Sequence, residues 1–184
     1  CRRIVDGALY PGMSIMTGDS GDNNQAFDVG QATAVFYNQS GLSDELFSII
    51  AKDPGVWGNS LSCIIKNVKD ETETEVTEQY TFEIDVYLTD SDGVSSKIEN
   101  WKVSRKSKID GYGRQMYLED KINDYSAYIK VYDNTAQADT VVPKENATAV
   151  TFAGGSDGSV PSASDLIGTG SDGSGWYGFY NADE

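Results

Sequence analysis

The chain contains no His. That removes the commonest general base, the usual Ser-His-Asp arrangement and most zinc sites. Carboxylates are left. Glu83 and Asp85 share one face of a strand pattern, and Glu119 and Asp120 adjoin on a helix pattern. Two carboxyls about 5–10 Å apart across a cleft would suit glycoside hydrolysis. With 29 acidic residues such pairs arise by chance, and solvated faces are the simpler reading. Asp90-Ser-Asp92-Gly93 starts like a calcium loop, but Gly93 comes too early and Glu99 misses the twelfth position. Asp19-Ser-Gly-Asp22, Asp157-Gly158 and Asp172-Gly173 are further Asp/Gly turns. Gly111-Tyr-Gly113 is only a fragment of a glycine fingerprint, and no phosphate loop is present. Cys1 and Cys63 are too few for a thiolate cage, and Cys63, in an apolar run, reads as a small buried hydrophobe. Asn38-Gln-Ser40 and Asn146-Ala-Thr148 match glycosylation acceptors, which matter only in a secreted eukaryotic protein. The expectation is a protein that is not an enzyme and holds no cofactor or metal.

The elements that would position these residues are mostly strands. The 184 residues suffice for one compact unit without staples. The 19 Gly, with Asp and Ser, supply many turns. Strands are predicted over 32–37, 61–68, 80–88, 98–104, 128–132 and 150–152, with a shorter one within 1–10. Phe82, Ile84, Val86 and Leu88 alternate with Glu83, Asp85 and Tyr87 most cleanly. Residues 46–52 read either as a helix capped by Ser43 or as a strand buried on both faces. Leu118, Ile122 and Tyr125 make a helical stripe over about 117–125. Ser164 opens a possible short helix. Asp70 to Gln79 is an acidic run that reads as a solvated hairpin or edge. The fold class is α+β: strand-rich, β-sandwich-like layers flanked by a few short helices. Residues 1–45 form an N-terminal strand and loop region, and 46–184 the core, together one compact unit. The net charge of −15 opposes direct nucleic-acid binding, and no apolar run approaches a membrane span.

One stretch is more specific. In Ala51-Lys-Asp-Pro-Gly-Val-Trp-Gly-Asn-Ser-Leu61, Pro54-Gly55 makes a turn, Gly58-Asn59 a second turn or bulge, and Trp57 an anchor between them. As a core anchor, Trp57 would cost about 3–5 kcal/mol on truncation to Ala. The stretch resembles the A-K-x-P-G-x-W-G-N motif of tail sheath proteins from contractile-tailed bacteriophages. Further pieces follow in the same order. Glu99 to Ser104 is similar to an E-x-F/W-x-V-S strand. Gly113-Arg114 through Glu119-Asp120 to Asn123 is similar to a G-R-x-x-Y-x-E-D-x-I-N segment, and Ser126 to Val131 to S-x-Y/F-I-x-V. Phe152 to Gly158, with Gly154, Gly155 and Asp157, is similar to an L-x-G-G-x-D-G turn, and Trp176 to Phe179 falls where an aromatic segment is expected. The pieces span about 46–179, and 1–40 matches only loosely.

The resemblance implies a structural subunit that polymerises helically around an inner tail tube and contracts to drive the tube through the host envelope. Implied partners are other sheath subunits, the tube and the baseplate; the implied location is the virion tail sheath, assembled in the bacterial host cytoplasm. DNA would run inside the tube, away from this acidic surface. The chain would be a fragment lacking the C-terminal region, monomeric alone. Two other readings fit some residues. One is an acidic β-rich adhesion or carbohydrate-binding module with loop-bound calcium, the other a carboxylate hydrolase.

Overall fold

The computed structural model describes residues 30–39 and 44–158, together with the backbone of β1 (Ile4–Val5) and β2 (Ala8–Leu9), which pair antiparallel. The strands β3 (Thr33–Tyr37), β4 (Glu45–Ala51) and β8 (Ile129–Asp133) form one antiparallel sheet in the order β3-β4-β8. The strands β5 (Leu61–Lys66), β6 (Thr81–Thr89), β7 (Ser95–Ser104) and β9 (Val150–Thr151) form a second, in the order β7-β6-β5-β9. Helix α1 (Leu118–Tyr125) precedes β8. The protein is α+β and strand-rich, with two antiparallel sheets packed through a shared core. Of the expected short helices, the described residues show α1 and one 3-10 turn, Val56–Ser60. The stretch from Ser164 lies outside the described residues. None of the described helices is long and apolar enough to cross a membrane.

The two-way reading of 46–52 resolves as strand β4. Phe47, Ile49 and Ala51 are fully buried on its inner face. Phe47 stacks on Phe36 of its own sheet (5.3 Å between centroids) and on Phe82 of the other (5.6 Å), so one aromatic column joins the layers. Alternation along β6 sends Phe82, Ile84 and Val86 into the same core, opposite Val103, Trp101 and Glu99 of β7. Cys63 of β5 is a buried free thiol, and burial raises its pKa. β3 comes from the first 45 residues and pairs with β4, so the described parts of 1–45 and 46–184 form one hydrogen-bonded unit.

The helix stripe holds only in part. Leu118 and Ile122 are fully buried, whereas Tyr125 is 77% exposed. Tyr125 is the last helical residue, and the chain turns away at Ser126, whose N–H bonds to Ile122 O (2.8 Å). The polar residues of α1 do the more specific work. β4 pairs with one edge of β8, and α1 supplies partners for the other. Glu119 accepts the Asp133 N–H (2.6 Å). Asn123 accepts the Val131 N–H (2.7 Å) and donates to the Val131 carbonyl (2.9 Å). The Ser126 hydroxyl accepts the Ile129 N–H (3.0 Å). Lys121 donates to the Lys102 carbonyl of β7 (2.8 Å), and Ser104 bridges to Tyr117, so the helix also joins the second sheet.

Just after β7, Arg105 fixes the chain that follows β8. Its side chain is 1% exposed and forms an ion pair with Asp133 (2.6 Å). Its other donors reach the carbonyls of Asn134, Gln137, Ala138 and Val141. The planar guanidinium thereby organises an otherwise irregular segment. Arg105→Met should destabilise by about 3–5 kcal/mol, because Asp133 is left buried and unpaired. Urea unfolding measures this, and Arg105→Met with Asp133→Leu should lose less than the single change. Equal midpoints for Arg105→Met and the unaltered chain would contradict the role.

Candidate functional site: the corner where the sheets interlock

Strand β4 ends at Ala51, and the chain must reverse before β5 starts at Leu61. Pro54, Gly55 and the 3-10 turn make this reversal. Nearly a hundred residues later, the chain returns to the same place. β9 pairs with β5, and Phe152 N–H bonds to Leu61 O (3.0 Å). Then the chain crosses to the other sheet. Ala153 and Thr33 exchange hydrogen bonds of 2.8 and 3.0 Å, and Gly30 and Ser156 exchange bonds of 3.0 and 3.1 Å. One continuous segment, 150–156, therefore leaves one sheet and lines the edge of the other.

The two visits to the corner are tied by side chains. The Asn59 amide donates to Gly155 O (2.9 Å) and accepts from Gly155 N–H (2.8 Å). Asp157 accepts the Val56 N–H (2.9 Å), satisfying a donor at the start of the 3-10 turn. Gly55 N–H bonds to Gly30 O (3.0 Å), adding the start of β3. The approach is too close for side chains. A Cβ on Gly155 would lie 2.4 Å from Gly55 O, and one on Gly58 would lie 2.8 Å from the Ala51 Cβ and 2.9 Å from the Ala32 Cβ. Gly55 also has φ +133°, a backbone shape that disfavours any side chain.

Pro54, Gly55, Trp57, Gly58, Asn59, Gly154, Gly155, Asp157 and Gly158 thus lie at one corner of the molecule. Glu119 and Asn123 form the second seam, on α1. Asp120 is exposed, within reach of Gln115 (3.4 Å). Gly113 and Arg114 lie elsewhere, on an exposed hairpin where Arg114 pairs with Asp110 (2.7 Å). Trp57 needs correction: it is half-buried against the core, not enclosed by it, so 3–5 kcal/mol is an upper bound for its truncation. Gly30, Ala32 and Arg105 were missed. A lone Gly, a lone Ala and a lone Arg give no local signal; their roles come from chain brought in from afar.

The carboxylates considered for chemistry are engaged otherwise. Glu83 and Asp85 share the outer face of β6, where Lys66 lies 3.7 Å from the first and 2.6 Å from the second. Burial raises the Asp85 pKa, but hydrogen bonds from Lys66 and Asn100 and the charges of Lys66 and Lys97 hold it below its ordinary value on balance. Asp90 accepts the N–H groups of Asp92 (3.0 Å) and Val94 (2.9 Å), which makes it a turn former. Asn146 donates its amide to the Cys63 and Thr148 carbonyls and accepts the Ile65 N–H. Among the described residues, no three acidic, His or Cys side chains gather as a metal set would.

No protein-family model matches the chain, and no characterised protein matches it in sequence. Among solved structures it is similar to the sheath tail protein of Listeria innocua, at 15% identity and a TM-score of 0.40, over 83% of this chain and 24% of that one. It is also similar to the sheath tail protein of Desulfitobacterium hafniense, at 16% identity and a TM-score of 0.36, over 72% of this chain and 22% of that one. The chain spans about a quarter of the length of these proteins. At these values the resemblance is weak and carries no argument of its own.

Gly58→Ala and Gly155→Ala should each destabilise by about 1–3 kcal/mol, the usual cost of overpacking. Gly111→Ala meets no atom within 4 Å and should stay within about 0.5 kcal/mol. Chemical denaturation of the three variants checks the contrast, and equal losses would contradict a tight corner. Acid should weaken the fold in a defined window. Backbone N–H bonds from Arg114, then its side chain and the Tyr112 N–H, lower the Asp110 pKa to about 2, against 3.8 ordinarily, and Asp85 is lowered too. A lowered carboxyl contributes stability that is complete above the unfolded value and lost as pH falls through the folded one. Melting temperature should therefore drop between about pH 4 and pH 2, and Asp85→Asn should flatten that slope. An unchanged slope would remove Asp85 from the account.

Proposed function

We propose that this chain is a structural domain of a contractile-tail sheath subunit, with no catalytic role. The observation that carries the reading is the interlocked corner. Two of the sequence pieces similar to sheath motifs, residues 51–61 and 152–158, are bonded to each other through Asn59 and Gly155, 96 positions apart. Motif residues that resemble a family one by one thereby acquire a joint physical reason: they close the junction between two sheets. The Glu119-Asp120-x-x-Asn123 piece supports the same reading, since two of its three named residues close the opposite seam.

In the proposed role the parent subunit polymerises helically around an inner tail tube and contacts neighbouring subunits, the tube and the baseplate in the virion. Its lattice contracts by moving subunits as rigid bodies, which suits a domain closed at both seams. The net charge of −15 keeps the isolated chain apart, because repulsion acts between close neighbours within a Debye length of about 8 Å. The chain alone should sediment as a monomer at micromolar concentration. Gold-labelled antibody against it should decorate the sheath of contractile tails in electron micrographs. Label confined to capsids or host envelopes, with bare tails, would sink the proposal.

A further inference from the structure

Beyond Ser104, residues 105–116 project as a hairpin tied by the Ile109–Gln115 bridge. Its tip exposes Tyr112 at 87% and Ile109 at 63%, large apolar groups on an otherwise charged surface. Around it gather Lys102, Lys106, Lys108, Arg114 and Lys121, five of the chain's 14 cations. Three of the five are held by neutral groups. Lys106 lies over the Tyr80 ring (4.6 Å), Lys108 donates to the Thr77 and Gln79 carbonyls, and Lys121 to the Lys102 carbonyl. Neutral partners for three clustered lysines are unexpected in a chain with 29 acids. Burial, with smaller contributions from neighbouring cations, lowers the pKa of Lys108 and Lys121, against the opposing charges of Glu78 and Asp110. Of the acids beside the tip, Glu73 is held by Lys69, Glu78 by Lys102 and Asp110 by Arg114, while Glu75 and Asp120 also lie close by.

The opposite end of the same strands is complementary. β6 and β7 run in register from Thr81–Ser104, next to the basic hairpin, to Thr89–Ser95. That is roughly 27 Å at 3.4 Å per residue. There the turn of Asp90, Ser91, Asp92 and Gly93 is exposed, with Val94 58% exposed beside it. One end offers cations with apolar groups, the other carboxylates with an apolar group.

We propose that the 105–116 hairpin, through Lys106, Lys108, Ile109 and Tyr112, takes the 90–94 acidic turn of a second copy of this chain. Copies then meet head to tail along the β6–β7 direction, a heterologous contact that can repeat from copy to copy. Identifying the partner as a second copy rests on the subunit reading above. The contact is weak alone, because exposed ion pairs contribute little, and it adds up across a lattice.

Charge exchange tests it. Sedimentation of the unaltered chain at near-millimolar concentration and about 0.15 M salt, where net repulsion is screened beyond about 8 Å, should show association that weakens as salt is raised further. Lys106→Glu with Lys108→Glu should abolish it, as should Ser91→Lys with Asp92→Lys. An equal mixture of the two variants should associate again. Lys108 also holds two carbonyls, so Lys106→Glu and Asp92→Lys as single changes repeat the test if the double change disturbs folding. A monomeric unaltered chain, folded variants that associate undiminished, or a folded mixture that stays monomeric would each overturn the contact. Antibody labelling of tail sheaths would still leave the subunit reading standing.

Discussion

A strand has two edges, and every N–H and C=O along each must find a partner when water is excluded. Here β8 has β4 on one side only, and the edge of β3 faces away from β4. Closing these edges is the constraint from which the rest of the structure follows. At β8 the partners are side chains of a helix, Glu119 and Asn123, spaced four residues apart so that they lie above one another and reach alternate backbone groups. At β3 the partner is the segment 153–156, which arrives from the other sheet. An edge covered in either way offers no template for unwanted strand addition.

The second closure dictates the glycines. A segment that serves both sheets must pass over the β4–β5 reversal at backbone contact distance. Gly55, Gly58 and Gly155 allow this, and Asn59 converts the contact into a specific pair of hydrogen bonds. Aromatic stacking through Phe36, Phe47 and Phe82 fills the space enclosed between the seams. The result is a body whose layers are joined at both margins and through the middle.

The legible part of this design was the part encoded locally. Alternation marked β6, and the apolar pair Leu118 and Ile122 marked α1, because burial on one face leaves a period in the sequence. Pro54-Gly55 and the Gly154–Gly158 stretch were readable as turns from residue type alone. The pairing of Asn59 with Gly155 was not, because neither residue has a preference that points to a partner 96 positions away. Glu119 and Asn123 were recognised as part of a motif, but polar helix residues read by default as solvated, and their bonds to β8 became visible only with the strand in place. Arg105 is the clearest omission. A single Arg in a basic stretch reads as surface, and its burial depends on Asp133 and four carbonyls that a later segment brings to it. Trp57 differs the other way: residue type argued for a core anchor, but the indole packs against the core with part of its surface still open to solvent.

Native-state hydrogen exchange, read amide by amide, tests the two-seam closure most directly. The N–H groups of Gly155 and Val56 at one seam, and of Val131 and Asp133 at the other, should exchange far more slowly than exposed turn amides, because each is bonded to a side chain from another element. If these four exchanged as fast as the exposed turn amide of Thr72 while Ile84 stayed protected, the seams would be loose decoration on two independent sheets, and the account would be wrong.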